Sequence, residues 1–316
     1  MKKYFASILL LSMLLTALVP ATALGSAAVS GKLMVYSSLP APQLDLMLDM
    51  FHDQYPGITV DVFSAGSADV FERAQAEAGV TGGLVLGGSL EAFQSAQDLF
   101  SAYTTANAKY LHSQYAVAEN AGFTPIQLHV SALIVNRDLA KQLGVNIKGW
   151  ESLKDERLSG RVTYMDPAAS SPVSEQSAFV TSFARTVNVA SPSAPSFVLN
   201  AVTAGQYAVG IINEEKAIER KMSGAKVDVV YAAEGVAMGA SYAGILKGTQ
   251  NEEAAKLFLD FITGREYQQA AADMLHQRSV RQDVDFGLKG IASTKSLKAL
   301  NSDRMAQLTR LQTASR

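Results

Sequence analysis

The chain of 316 residues contains no cysteine, which excludes disulfide bonds, thiolate metal ligands and a cysteine nucleophile. The same absence excludes a lipid anchor attached to an N-terminal cysteine. Without covalent cross-links the fold must be stabilised by a hydrophobic core. A mature chain of roughly 290 residues is long enough to form one, and we expect two lobes.

An excess of charge of one sign is also missing. Lys and Arg number 27 and Asp and Glu number 29, which gives a formal net charge of −2. No basic stripe or cationic cluster occurs, so nucleic acids and anionic membranes are poor partners. The four histidines are scattered and show no metal-ligand spacing: His52, His112, His129 and His276. We therefore expect a small-molecule ligand and no metal site or cofactor.

Only one long hydrophobic run is present, from Phe5 to Val19. It follows the basic start Met1-Lys2-Lys3 and precedes small residues that end near Ser26, which is the pattern of a secretory signal peptide. We assign the signal peptide to residues 1–25. No second run reaches the length of a membrane span. The expected location is the periplasm, without a lipid anchor.

Motifs of several enzyme classes are absent as well. The sequence has no Walker-type phosphate loop and no H-E-x-x-H, and Gly239–Ala243 (GASYA) fails the G-x-S-x-G pattern at its last position. We therefore expect a protein that is not an enzyme. A secreted hydrolase stays as an alternative, because a Ser-His-Asp triad can assemble from distant residues.

Serines follow several predicted strands. Lys32–Tyr36 reads as a strand, a helical stripe follows, and Ile58–Phe63 reads as the next strand, which predicts a β-α-β unit with parallel strands. In such α/β sheets ligands bind beyond the carboxyl ends of strands. The candidate ligand residues there are Ser37, Ser38, Ser67 and Ser89. Each alone is ordinary turn or cap chemistry, whereas their repetition predicts a cleft for a polar or anionic solute.

Ser170 and Ser171 follow a further short strand and precede an apolar-periodic segment that contains Phe179 and Phe183. Free N–H groups, hydroxyls and the positive end of a helix dipole suit a phosphate, phosphonate or carboxylate. The alternative is that these serines only cap the helix. Glu215 is either a ligand contact or a first-turn acid favoured by the dipole. Tyr242 is either a ligand contact or a core residue.

Several segments in order resemble the periplasmic solute-binding proteins of ABC importers, in the branch that binds ferric iron, phosphonates and sugar phosphates. The matching segments are Lys32–Tyr36 before a serine turn, Tyr55–Ile58, Trp150–Leu153 with Gly160–Asp166, Gly210–Ile212 before Glu214-Glu215, Tyr231 with Glu234-Gly235, and Ala254–Gly264. The resemblance covers nearly the whole mature chain.

This resemblance implies an α/β fold of two lobes, type II-like, joined by crossing hinge strands that let the lobes close on a ligand. The first lobe would comprise residues 31–130 and 240–278, and the second residues 131–239 and 279–316. It also implies a monomer that captures a small anionic ligand and delivers it to an ABC permease of the inner membrane. A sensor could take the place of that permease.

This chain departs from the family pattern at two places, of which the first bears on the ligand. The ferric binders carry a tyrosine pair where this chain has Glu215 and Lys216, so the resemblance favours a phosphonate or a sugar phosphate. Ferric iron in a site without tyrosines remains an alternative. The second departure is Arg278-Ser279, which stands where the family usually has Tyr-Pro.

Overall fold

The computed structural model describes residues 29–118, 121–165, 175–189, 193–285 and 287–310. The strands are β1 (Gly31–Ser37), β2 (Ile58–Ser64), β3 (Leu84–Leu86), β4 (Phe123–Asn136), β5 (Val162–Tyr164), β6 (Val209–Asn213), β7 (Val227–Val230) and β8 (Met238–Ile245). The α-helices are α1 (Ala41–Gln54), α2 (Ser67–Glu77), α3 (Leu90–Ser95), α4 (Arg137–Leu143), α5 (Glu175–Thr186), α6 (Pro195–Thr203), α7 (Glu214–Met222), α8 (Glu252–Ile262), α9 (Arg265–Leu275) and α10 (Ser302–Thr309).

The predicted β-α-β unit at the start of the mature chain is confirmed. β1 and β2 pair in parallel from Gly31 opposite Ile58 to Ser37 opposite Ser64. Between them, α1 begins with Pro at its first turn and buries the predicted stripe of Leu44, Met47 and Phe51. Parallel strands need such a crossover connection. Because β1 and β2 are parallel neighbours, their carboxyl ends lie side by side.

The strands lie in the order β2-β1-β3-β8-β4-β6-β5, and β7 pairs with β4. The long strand β4 belongs to both parts of this arrangement. Its first half, Phe123–Val130, pairs with β8, while its second half pairs with β6 from Ser131 and with β7 from Leu133. β4 and β8 are therefore the crossing strands that join two lobes.

The pairing pattern is the same in both lobes. In the first lobe β1 and β3 are parallel, and β3 is antiparallel to β8, which is in turn antiparallel to β4. In the second lobe β5 and β6 are parallel, and β6 is antiparallel to β4, which is in turn antiparallel to β7. It follows that β1 to β3 run towards the second lobe and that β5 and β6 run towards the first. The carboxyl ends of the two sets face each other across the lobe boundary.

Each lobe has its own cores. In the first, α1, α8 and α9 cover one face of the sheet, and the Phe51 ring contacts those of Phe258 and Phe261 at 4.7 Å and 5.4 Å between centroids. In the second, the fully buried Trp150 contacts Phe179 and Phe183. A smaller cluster, which includes Leu128 and Met238, covers the crossing strands. This pattern of strands and cores confirms the predicted α/β fold.

Several helix boundaries differ from those that the sequence pattern predicts, and α3, α10 and α2 are examples. The helix expected over Leu90–Phe100 ends at Ser95, since Phe100 is buried against Phe93 and forms a β-bridge with Leu246. The last helix was expected from Ser296 but begins at Ser302, because Ala299 is bridged to Val236 and the Asn301 side chain caps the helix. The third difference is at the start of α2, where Gly66 and not Ser67 is the N-cap. Among the residues described here, no helix is long and apolar enough to cross a membrane.

Candidate functional site

Ser37 and Ser38 lie at the carboxyl end of β1, at the lobe boundary. Ser37 is fully buried, and its Oγ accepts a hydrogen bond of 3.1 Å from the backbone N–H of Leu39. Ser38 is half-buried, and its backbone N–H donates to the carbonyl of Leu86 at the end of β3. Ser37 therefore shapes the turn, whereas the hydroxyl of the half-buried Ser38 makes only a long contact of 3.5 Å to the carbonyl of Leu86.

The turn after β3 lies against Ser38. Gly87 and Gly88 both have positive φ, at 87° and 113°, which only glycine adopts readily. A Cβ on Gly87 would lie 2.4 Å from the Ser38 Oγ, so glycine is also required by close approach. Ser89 then caps α3, with its Oγ accepting from the N–H of Ala92 at 3.3 Å. The structure thus brings Ser38 together with the turn that leads to Ser89.

Ser67 lies at the end of the neighbouring strand, β2. The sequence predicts Ser67 as the N-cap of α2, but this is wrong by one residue, since Gly66 is the N-cap and Ser67 is the first helical residue. The extended backbone of Gly66, with ψ of 154°, already provides the turn into the helix. Ala65 donates its N–H to the carbonyl of Ser37, which fixes this turn beside β1. We call Ser37, Ser38, Ser67, Ser89 and the intervening Gly87 and Gly88 the first wall.

Tyr242 lies in β8 next to the first wall, and its backbone carbonyl accepts from Gly87. Its side chain is only 3% exposed and packs between Phe93 and Phe123, at centroid distances of 6.2 Å and 5.7 Å. Burial raises the pKa of its hydroxyl to about 12, so the hydroxyl keeps its proton. These contacts support the core alternative for the ring.

Glu215 lies on the opposite side of the lobe boundary, in the first turn of α7 directly beyond β6. It is half-buried, yet the surrounding protein raises its pKa to about 7. Burial is the largest cause and the charge of Glu214 adds to it, while a backbone hydrogen bond, Lys216 and Arg278 oppose it. A carboxyl with these properties can donate or accept a hydrogen bond near neutral pH.

Ser170 and Ser171 lie outside the described residues, as do all of residues 166–174. Met165, at the end of the preceding stretch, donates its N–H to the carbonyl of Ile211 in β6. The chain therefore enters this segment beside the strand that leads to Glu215. We call the carboxyl ends of β5 and β6, with Asn213, Glu214 and Glu215, the second wall.

Sequence reasoning missed the role of Glu214, which is 1% exposed and is bound by Arg278 through two hydrogen bonds. The Nε and Nη2 atoms of Arg278 lie 2.6 Å and 2.7 Å from the two carboxylate oxygens. Tyr231 donates its hydroxyl to the same carboxylate at 2.9 Å. The unusual Arg278 in this sequence was the available signal, but its partner lies 64 residues away.

A second missed contact lies on the crossing strands. His129 of β4 and Ser241 of β8 form a hydrogen bond of 2.6 Å between Nε2 and Oγ. Burial lowers the pKa of His129 to about 4, so the ring is neutral at physiological pH, while part of its surface stays accessible. Gln127 pairs with Ser241 in the same register, and its buried Oε1 has no hydrogen-bond partner among the residues that the structure describes. These polar groups lie between the two walls.

Glu234, which matched the family's acidic turn, has a structural role. Its carboxylate accepts from the backbone N–H groups of Trp150 and Glu151 at 3.2 Å and 2.8 Å, which caps a 3-10 helix. The indole N–H of Trp150 donates to the carbonyl of Gly235. Trp150 is therefore a packing residue, as the sequence indicates. Within the described ranges, no group of three or more His, Cys, Asp or Glu side chains could hold a metal ion.

Residues 33–274 match the family model of the bacterial extracellular solute-binding proteins. The chain belongs to this family. The match confirms the predicted solute-binding role and supports that of the substrate-binding component of an ABC importer. The members of the family are extracellular or periplasmic binding proteins.

Similar proteins agree with this assignment. An uncharacterized protein of Haemophilus influenzae is 24% identical over 268 residues, which are 78% of this chain and 77% of the relative. The periplasmic binding protein AfuA of Actinobacillus pleuropneumoniae, solved with fructose-6-phosphate, has a TM-score of 0.67 at 21% identity and covers 88% of this chain and 96% of its own. Iron-bound HitA of Pseudomonas aeruginosa has a TM-score of 0.68 at 17% identity, covering 88% and 98%. These structures confirm the two-lobe fold.

Proposed function

We propose that this solute-binding protein captures a small anionic solute, a phosphonate or a sugar phosphate, between its lobes and delivers it to an ABC permease of the inner membrane. The observation that carries the proposal is the opposition of the two walls. Strand ends rich in serine and glycine face strand ends that carry Glu215. Hydroxyls and helix-start N–H groups can meet the oxygens of an anion without a full positive charge.

The two walls suit the two ends of one solute. In this proposal Ser37, Ser38, Ser67 and Ser89 would meet the solute from the first wall, and Ser170, Ser171 and Glu215 would meet it from the opposite side. Glu215 would accept from an amine or a sugar hydroxyl when ionised, or donate to an oxygen when protonated. Tyr242 would contribute through its backbone position beside Gly87. The fold of AfuA, whose structure contains fructose-6-phosphate, accommodates a solute of this class.

We also propose a location for the protein and bounds for its two lobes. Residues 1–25 act as a signal peptide that directs a monomeric protein without a lipid anchor to the periplasm. The lobes are bounded as 31–130 with 240–278 and 131–239 with 279–316. The protein binds its solute without converting it. Consumption of the solute would instead support the alternative of a secreted hydrolase. A permease is the partner we propose, and a sensor would be the alternative recipient.

A thermal-shift panel tests the ligand class. The panel contains fructose 6-phosphate, glucose 6-phosphate, 2-aminoethylphosphonate, inorganic phosphate and ferric citrate. A ligand at about 100 times its Kd adds about 2.7 kcal/mol of stability. For a protein of this size we expect a rise in Tm of about 5 °C or more with one of the phosphorus compounds. If none of them shifts the Tm at millimolar concentration, the proposed ligand class is wrong.

Matched alanine variants then test the first wall. Ser38→Ala removes the hydroxyl of a half-buried residue at the end of β1. We expect calorimetry with the best panel compound to show affinity lower by roughly tenfold to a hundredfold, as for a hydrogen bond to a charged oxygen. Ser95→Ala is the control, because Ser95 is exposed at the far end of α3. Equal affinities of the two variants would remove Ser38 from the site.

Ferric iron is the second candidate, and the fold shared with iron-bound HitA is the observation in its favour. Glu215 and Lys216 in place of a tyrosine pair oppose it. Visible absorbance after addition of ferric citrate separates the two candidates. We expect no tyrosinate–iron charge-transfer band, and a strong salmon-coloured complex would move the ligand to iron.

A further inference from the structure

We propose that Arg278 is a positioning residue for the solute site: it ties α7, which presents Glu215, to the first lobe. The effect that we expect on solute binding rests on the proposed solute-binding function. The contacts of Arg278 themselves do not depend on any ligand. Arg278 is 2% exposed, and its side chain and backbone contact different lobes.

The backbone around Arg278 is held by the first lobe. The carbonyl of Arg278 accepts from the N–H of Leu128, in the half of β4 that pairs with β8, at 2.9 Å. The next residue, Ser279, donates its hydroxyl to Gln268 of α9 at 2.6 Å. Gln268 itself donates to the carbonyls of Ile126 and Ile262. Arg278 therefore starts from a rigid, buried part of the first lobe.

The guanidinium of Arg278 is held by the second lobe. Its Nε and Nη2 bind the two oxygens of Glu214, the first residue of α7. Its Nη1 donates to the Thr294 hydroxyl at 2.9 Å, and Nη2 also reaches the carbonyl of Ala292 at 3.1 Å. A planar guanidinium bound at both carboxylate oxygens fixes direction as well as distance, which a lysine cannot do.

Arg278 affects the site because its partner Glu214 is the sequence neighbour of Glu215. Glu214 and Glu215 are consecutive in the first turn of α7, so the geometry that Arg278 imposes on Glu214 also orients the backbone that carries Glu215. Arg278 also neutralises Glu214, which would otherwise leave two carboxylates at one helix start. The second wall is thus held in a fixed relation to the crossing strands by a buried contact at Glu214.

The chain offers a matched control three residues later. Arg281 is 3% exposed and also binds a carboxylate through two hydrogen bonds, at 2.8 Å and 2.9 Å to Asp283. Its other contacts are to Asn107 and to the carbonyl of Thr263, and none of its contacts among the described residues reaches α7. Arg278→Met and Arg281→Met therefore remove equally buried guanidinium groups, although Asp283 is exposed where Glu214 is buried. Only the first variant removes a contact to α7.

The test combines hydrogen exchange with calorimetry on the full chain. We expect both variants to lower the Tm, but only Arg278→Met to accelerate exchange of the α7 amides in a peptide spanning residues 211–222, by about tenfold or more. The panel compound with the largest thermal shift, fructose 6-phosphate being tried first, should bind Arg278→Met about tenfold more weakly and Arg281→Met within about twofold of the parent.

Arg278→Lys serves where Arg278→Met does not fold, because it keeps the charge and loses only the bidentate geometry. We expect it to give intermediate exchange and intermediate affinity. The proposal is overturned if α7 exchange is unchanged in the Arg278 variants, or if Arg281→Met weakens binding as much as Arg278→Met. If no panel compound binds the parent, the proposed function fails, while the exchange experiment still decides the role of Arg278.

Discussion

The turn after β3 and the turn after β6 occupy equivalent places in the two lobes, but they carry different chemistry. The first, Gly87-Gly88-Ser89, is uncharged and relies on glycine conformation and a serine cap. The second, Asn213-Glu214-Glu215, places two carboxyl groups at the start of α7 and offsets one with Arg278. Under the proposed function, one pairing pattern of strands presents a neutral wall and an acidic wall to the solute, and this asymmetry fits a solute with two unlike ends.

The largest expected effect is a loss of unfolding free energy at the acidic wall. Glu214→Ala leaves the guanidinium of Arg278 buried without its carboxylate and removes the acceptor of the Tyr231 hydroxyl. Removing one partner of a buried pair costs about 3–5 kcal/mol of unfolding free energy. Urea denaturation measures this loss. A change below about 1 kcal/mol, typical of exposed pairs, would show that the pair is solvated.

Gly87→Ala tests the neutral side. A Cβ at this positive φ costs about 1–2 kcal/mol of strain and would lie 2.4 Å from the Ser38 Oγ. We expect a lower Tm together with weaker binding of the best panel compound, because Ser38 must move. The exposed Gly224→Ala is the control, since φ is 85° there and no atom lies within 4 Å of its added Cβ. It should lower stability by strain alone and leave affinity unchanged.

Ser89→Ala has a smaller effect on folding. Loss of the cap on α3 costs about 1 kcal/mol of unfolding free energy. That is several times less than the loss expected at the equivalent charged turn. Urea denaturation of Ser89→Ala beside Glu214→Ala compares the two turns in one experiment, and equal losses would remove the distinction between them.

A pH dependence of stability belongs to the acidic wall alone. The pKa of Glu215 is about 7 in the folded protein, above the ordinary value of 4.5, so the native state holds an extra proton between those values. Stability contributed by this group is present below about pH 4.5 and is lost as the pH rises towards about 7. Glu215→Gln should remove that part of the slope of urea midpoint against pH. Identical slopes in parent and variant would contradict the raised pKa.

Local sequence patterns were sufficient for much of the fold. The stripe of Leu44, Met47 and Phe51 and the Asn251 cap of α8 depend on neighbours within a few residues, and both are confirmed. The start of α2 missed by one residue because Gly66 and Ser67 both suit an N-cap. Patterns of this range also place the serines after strands, although Ser170 and Ser171 lie outside the described residues.

Long-range pairs were beyond the reach of the sequence. Arg278 and Glu214 are 64 residues apart, and His129 and Ser241 are 112 residues apart. Nothing in the local composition joins them, since each pair exists only because β4 and β8 cross between the lobes. For Tyr242 the sequence left a ligand contact and a core position both open, and only its neighbours favour the core position for the ring. Glu234 matched the family pattern by position, whereas its capping of the 3-10 helix depends on residues far away in the sequence.

Small-angle X-ray scattering with and without a saturating panel compound tests whether a solute is held between the neutral and the acidic walls. Lobes that close around a solute on crossing strands must become more compact. We expect a smaller radius of gyration at saturation in the parent and no decrease in the Ser170→Ala/Ser171→Ala variant at the same concentration. A radius of gyration that is unchanged in the parent, with binding verified by calorimetry in the same sample, would contradict capture between the lobes.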